Sequence, residues 1–131
     1  MSSTTLLTTV ALEHTTPVYV FEIVDEAGVA VDASQIATLT LTYYDKATEH
    51  IINSRDAEDV LNLGDVALVT DIGPPIVTTV TWTLQPEDTV IVDQRRETEQ
   101  HIALFEWTWD SGAKAMAHEV QFGVEQITYI P

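Results

Sequence analysis

A chain of 131 residues with 45% hydrophobic and 20% charged side chains has the length of one domain and enough apolar material to bury a core, which excludes a disordered polypeptide. Five Lys plus Arg stand against 21 Asp plus Glu, a formal net charge of −16, which excludes nucleic acid and anionic membranes as partners because both need clustered cations. The absence of cysteine excludes a disulfide framework, thiolate catalysis and zinc–thiolate ligation. Strong acidity favours solubility and suppresses indiscriminate self-association until a specific contact forms, which suits a part made first and assembled later. The opening MSSTTLLTTVALEHTTP has no basic leader and its apolar residues are broken by threonines, so it reads as neither signal nor anchor. No apolar run is long enough for a membrane helix, and a soluble protein made in the cytoplasm is expected.

In chain order, residues 1–16 read as a flexible or arm-like segment and residues 17–131 as a single domain. Val18 to Val24 (VYVFEIV) is a β-branched and aromatic strand ending in the turn Asp25 to Gly28, with pairing resuming at Val29 to Val31. Thr38 to Tyr44 (TLTLTYY) alternates, placing Leu39, Leu41 and Tyr43 on one face. Ala47 to Asn53 reads as a short adjacent strand. Ser54 to Asn62 (SRDAEDVLN) offers an N-cap and early carboxylates, the signature of one or two helical turns. Val66 to Thr70 is a strand, Gly73-Pro74-Pro75 a break, and Ile76 to Leu84 a half-buried strand with Val80, Trp82 and Leu84 inward. Gln85 to Gln100 reads as a long connection holding a short Val90 to Val92 strand, and Gln126 to Ile130 as a closing edge.

The densest aromatic cluster lies in His101 to Val124, two long strands joined at Asp110, Ser111 and Gly112. A three-residue loop with a type I turn and a left-handed Gly112 sets Phe105 opposite Ala117, Trp107 opposite Ala115 and Ile102 opposite Val120. Seven to nine short strands without an alternating β-α pattern predict an all-β fold. The architecture expected is an antiparallel two-sheet sandwich, immunoglobulin-like, with one short helical turn.

Three stretches carry a resemblance: LTYYDKATEHIINSRDAEDVLN (Leu41 to Asn62), VTWTLQPEDTVIVD (Val80 to Asp93) and HIALFEWTWDSGAKAMAHEVQFGVEQIT (His101 to Thr128). In the order Tyr-Asp, Ile-Asn-Ser-Arg-Asp, Thr-Trp-Thr-Leu and Phe-Glu-Trp-Thr-Trp the chain resembles a family of small tailed-bacteriophage structural proteins. The resemblance implies an immunoglobulin-like β-module in a head, neck or tail assembly. It implies as partners the chain itself, as a homo-oligomer, and capsid, portal, neck or tail subunits of the virion. It carries no catalytic residue.

No constellation in the sequence supplies a nucleophile with its base, a phosphate cradle or a metal cage, so neither enzymatic activity nor a cofactor is expected. Trp107 and Trp109, two apart on one face, suit core packing, a subunit interface or a sugar-stacking platform of a tail-associated module binding host glycan. The hairpin register puts His118 near Leu104 and His101 near Gln121 on opposite faces, which argues against zinc. Asp56, Glu58 and Asp59 lack the spaced ligands and glycine of a calcium loop and suit the first turn of a helix better. Glu97, Glu99 and Glu106 cannot be placed as a glycosidase pair. The scarce cations Arg55, Arg95 and Arg96 are expected either in internal pairs, with Asp56 or Glu97, or as bidentate donors across a subunit contact. Arg95 and Arg96, with Trp107 and Trp109, are the candidate interface residues.

Overall fold

Where the sequence alternates, the backbone is extended and one parity of side chains is buried. A computed structural model describes residues 2–7 and 10–127, and about 50% of these are strand against 5% helix. One sheet contains β1 (Ser2–Leu6), β2 (Ala11–Leu12), β4 (Ile36–Asp45), β5 (Glu58–Asp59), β8 (Thr98–Trp109) and β9 (Lys114–Glu125). Its order is β1-β9-β8-β4-β5, with β2 also paired to β9. The second sheet is β3 (Val18–Glu22), β7 (Val77–Thr83) and β6 (Val66–Asp71), in the order β3-β7-β6. With β3, β4, β6, β7, β8 and β9 in the places of strands B to G, one sheet reads C-F-G and the other B-E-D, the layout of an immunoglobulin-like sandwich.

The core forms where the two inward parities meet. Leu39, Leu41 and Tyr43 of β4, Phe105 and Trp107 of β8, Val120 and Phe122 of β9 and Val80 and Trp82 of β7 are all buried, Trp82 completely. Its indole packs edge-on against Tyr43 (5.3 Å between centroids) and Phe105 (5.5 Å), the geometry that the ring quadrupoles favour. Side chains of this size each contribute about 1.5–3 kcal/mol by leaving water.

Several expectations are corrected. The β8–β9 ladder pairs Phe105 with His118, Trp107 with Met116 and Ile102 with Gln121, one residue away from the register expected. Trp109 pairs with Lys114, so the loop has four residues, and Gly112 N–H donates to Trp109 O while Ala113 N–H donates to Asp110 O. Asp110 (φ 55) and Ser111 (φ 54) are both left-handed, as the centre of a type I′ turn requires. A one-residue slip turns every side chain of β9 to the other face.

Residues 47–53 form no strand beyond the bridge Tyr44↔Ile51. Asp45 instead closes a turn, its carboxylate accepting from Thr48 N–H and Oγ1–H. The helical turn expected over 54–62 is absent: Asn53, Ser54 and Ala57 have positive φ, and the segment folds back so that Tyr43 N–H donates to Arg55 O. The helical content among the described residues is two short 3-10 turns, Ala33–Gln35 and Pro86–Asp88. Val90 to Val92 is not a strand, and the pairing expected at 29–31 is the single bridge Val24↔Ala30. The sandwich is not wholly antiparallel, since β1 and β2 from the segment expected as an arm run parallel to β9. Most of the closing edge expected at 126–130 lies outside the described residues, and Gln126 N–H donates to Glu97 O.

Candidate functional site: a sealed ionic network

The alternation that buries Leu39, Leu41 and Tyr43 continues to Asp45, and the one that buries Ala103 and Phe105 extends back to His101 and Glu99. Charged groups are thereby carried to the inward face at one end of the sandwich. Asp45, Asp88 and His101 are 0% exposed, Glu99 1% and Arg55 2%. A buried charge survives only when paired and hydrogen-bonded, and here two arginines do the pairing.

Arg55 holds the first half. It grips Asp88 with both ends of the guanidinium, Nε to Oδ1 at 2.6 Å and Nη2 to Oδ2 at 2.9 Å. It also donates to Glu58 Oε1 (2.6 Å) and to Asp65. Burial works against its charge, but the Asp88 and Asp65 carboxylates outweigh burial and raise its pKa. The guanidinium stands 5.8 Å from the Trp82 ring, a cation–π contact that ties the network to the centre of the core. Asp88 is presented by the 3-10 turn: Gln85 N–H donates to its Oδ2 (2.8 Å), and Asn53 Nδ2 to its Oδ1 (2.9 Å).

Arg96 holds the second half. Its Nη2 lies 2.7 Å from Glu99 Oε2 and 3.0 Å from Asp45 Oδ2. Glu99 also accepts from Val92 N–H (2.7 Å) and Asp93 N–H (2.8 Å), which fastens the long connection to β8. Burial alone would raise the Asp45 pKa, but Arg96 and Thr48 hold it below its ordinary value. His101 bridges the halves, with Nε2 2.9 Å from Glu99 Oε1 and Nδ1 3.0 Å from the Tyr43 hydroxyl, which in turn reaches the Asp88 carbonyl at 2.6 Å. Burial pulls the His101 pKa down against the pull of Glu99. Burial and the nearby Asp88 charge push the Tyr43 phenol well above 10.

Donor atoms of Asp45, Glu99 and His101 lie within 4.8 Å of one another, and carboxylate–carboxylate–imidazole is a donor set that a divalent metal would accept. Between the two carboxylates the positive charge is supplied by Arg96, and Glu99 already accepts from four donors. Glu99–His101–Tyr43 has the order of an oriented base. None of the three has surface for a substrate to touch.

The residues singled out from sequence fall as follows. Trp107 (2% exposed) and Trp109 (7%) face the core, so of the three uses weighed for them the packing one is seen. Arg96 is internal, and Arg95, with a side chain 90% exposed, meets Asp93 at 3.0 Å. Arg55 is internal, but its partners are Asp88, Asp65 and Glu58 in place of Asp56 or Glu97. His101 and His118 share the inward face, contrary to the opposite faces expected. His118 is held by the Tyr19 hydroxyl (2.6 Å) and stacked on Phe21. Asp56 and Asp59 are exposed while Glu58 serves Arg55. Glu99 faces inward and Glu106 outward, so these two do not form a facing pair. Missed from sequence were Asp45, Asp88 and Tyr43 as network members. Parity was the available signal, since an acid that continues the inward face of a strand needs a buried partner.

No protein-family model matches the chain, and no curated protein matches it.

Proposed function

We propose that this chain is a non-enzymatic structural component of a tailed-phage particle, in head, neck or tail, assembling with copies of itself and with other virion proteins. The observation that carries the reading is how the two kinds of chemistry are distributed. Asp45, Arg55, Asp88, Glu99 and His101 of the network are buried, while the second sheet turns Val18 (58% exposed), Val20 (53%) and Val69 (61%) to solvent, with Ile72 (78%) at its tip. Reactive groups that no substrate can reach serve architecture, and exposed β-branched side chains on a rigid sheet suit protein contact. The three stretches that resemble phage structural proteins supply Tyr43, Asp45, Arg55, Trp82, Asp88 and His101, so the resemblance falls on the network and core that set the fold. A glycan-binding tail module would need an open indole face, and no observation favours it. Quantitative mass spectrometry of density-purified particles tests the proposal. The chain is expected at a stoichiometric copy number that survives salt washing, and its absence or trace presence would refute it.

A further inference from the structure

Among the described residues no further strand pairs with either end of the three-stranded sheet, and the β6 edge is long enough to accept one. Thr83 N–H donates to Asp65 O (2.8 Å), which turns the odd-numbered backbone groups of this ladder toward β7. By antiparallel alternation the backbone groups of Val66, Leu68 and Thr70 point away from the sheet. The Val66 N–H is taken by Leu63 O (3.2 Å), whereas the N–H and C=O of Leu68 and Thr70 face outward. Natural edges are usually blunted by lysine, proline or a bulge. The segment VALVT has none of these, its register with β7 runs without a shift, and Ala67 and Val69 are exposed. A solvent-open channel of about 560 Å³ runs along the edge between residues 66–69 and the facing segments 33–34 and 61–64, lined without a charged side chain.

We propose that β6 pairs antiparallel with β6 of a second copy about a two-fold axis at Leu68, joining two three-stranded sheets into one of six. Backbone self-complementarity selects this occupant: about Leu68, the outward N–H and C=O of one copy meet the C=O and N–H of the other. Two chains of net charge −16 can meet only where carboxylates are absent or neutralised, and residues 66–70 offer no charge. In this register Val66 faces Thr70 and Ala67 faces Val69 of the second copy. Asp71 falls opposite the second copy's Asp65, which pairs with Arg55, a cation it shares with Asp88 and Glu58. A basic partner would be drawn to the carboxylates elsewhere on the surface. The pairing rests on the assembly role proposed above for its use, yet a chain absent from particles could still dimerise, so the two ideas fail separately.

Sedimentation equilibrium over a range of concentrations, combined with amide exchange, tests the pairing. The wild-type chain is expected to approach twice its 14.5 kDa mass, with the Leu68 and Thr70 amides becoming protected as dimer forms. The variant Ala67→Glu/Val69→Glu sets glutamate against glutamate across the axis and should weaken association at least about tenfold, because like charges directly opposite are unfavourable. Ala67→Lys/Val69→Lys should do the same alone, and mixing the two variants should restore association. Both positions are exposed, so an unchanged denaturation midpoint is expected. Val20→Glu, on the same face but away from the edge, should leave the dimer intact. A chain that stays monomeric, or whose Leu68 and Thr70 amides exchange freely in the dimer, would overturn the proposal. So would association that Val20→Glu abolishes and the edge variants spare.

Discussion

Single residues hold this sandwich at its centre and at one end. Trp82 is fully buried among Tyr43, Phe105 and Phe122, so Trp82→Ala should cost about 3–5 kcal/mol, read as a lower urea midpoint with an unchanged slope. Arg55→Ala strands the Asp88 carboxylate inside the protein and should cost a similar ~3–5 kcal/mol. Removing both charges, as Arg55→Met/Asp88→Leu, should recover much of that loss, and a double variant no more stable than the single would contradict the pairing. Arg95→Glu should leave the midpoint unchanged, since its side chain is exposed. The pH response follows from the signs of the shifts. Burial holds His101 and His118 below their ordinary value, so as pH falls below about 6.5 the unfolded chain binds protons that the folded one refuses, and stability is lost. Asp45, with its pKa lowered, adds stability that is full above about 4 and lost as pH falls through its folded value. Repulsion among the surplus carboxylates acts in the opposite sense and is screened by salt. In high salt, His118→Gln should therefore flatten the loss of stability between about pH 7.5 and 5.5, as measured by denaturant midpoints. A slope equal to that of wild type would show that His118 does not contribute.

Elements were legible where the two-residue period was clean and obscure where a side chain had captured the backbone. Leu39, Leu41 and Tyr43, and Val80, Trp82 and Leu84, read inward from sequence and are inward. The segment 54–62 imitates a helix start because it is rich in carboxylates, yet Glu58 is there to bind Arg55, an attraction that outweighs local capping preference. Asp88 lies 33 residues from Arg55, a pairing that only the closed sandwich creates. The β8–β9 register turned on one loop residue: Asp-Ser-Gly suits a type I turn with a left-handed glycine, but Asp110 and Ser111 themselves adopt positive φ. That mistake put His118 near Leu104, on the face opposite His101, in the sequence reading. It also yields a prediction. Replacing Asp110-Ser111 by Asn-Gly, the pair that a type I′ turn prefers, should stabilise the hairpin by about 0.5–1 kcal/mol. A lower thermal midpoint in that variant would argue against the turn.

At the scale of the whole molecule, a two-sheet body buries the ionic network around Arg55 and Glu99, covers the β9 edge of the larger sheet with its own N-terminal strands and, among the described residues, leaves the edges of the smaller sheet unpaired. These properties suit the proposed role, that of a part positioned by others and repeated. The strongest test of the proposed virion role is a cryo-EM map of particles purified from the source of this chain. The account predicts density for the two-sheet sandwich at symmetry-related positions, with contacts made by the exposed face or edges of the three-stranded sheet and with the network around Arg55 and Arg96 enclosed within each copy. A complete particle map in which every sandwich-sized density belongs to other chains would contradict it.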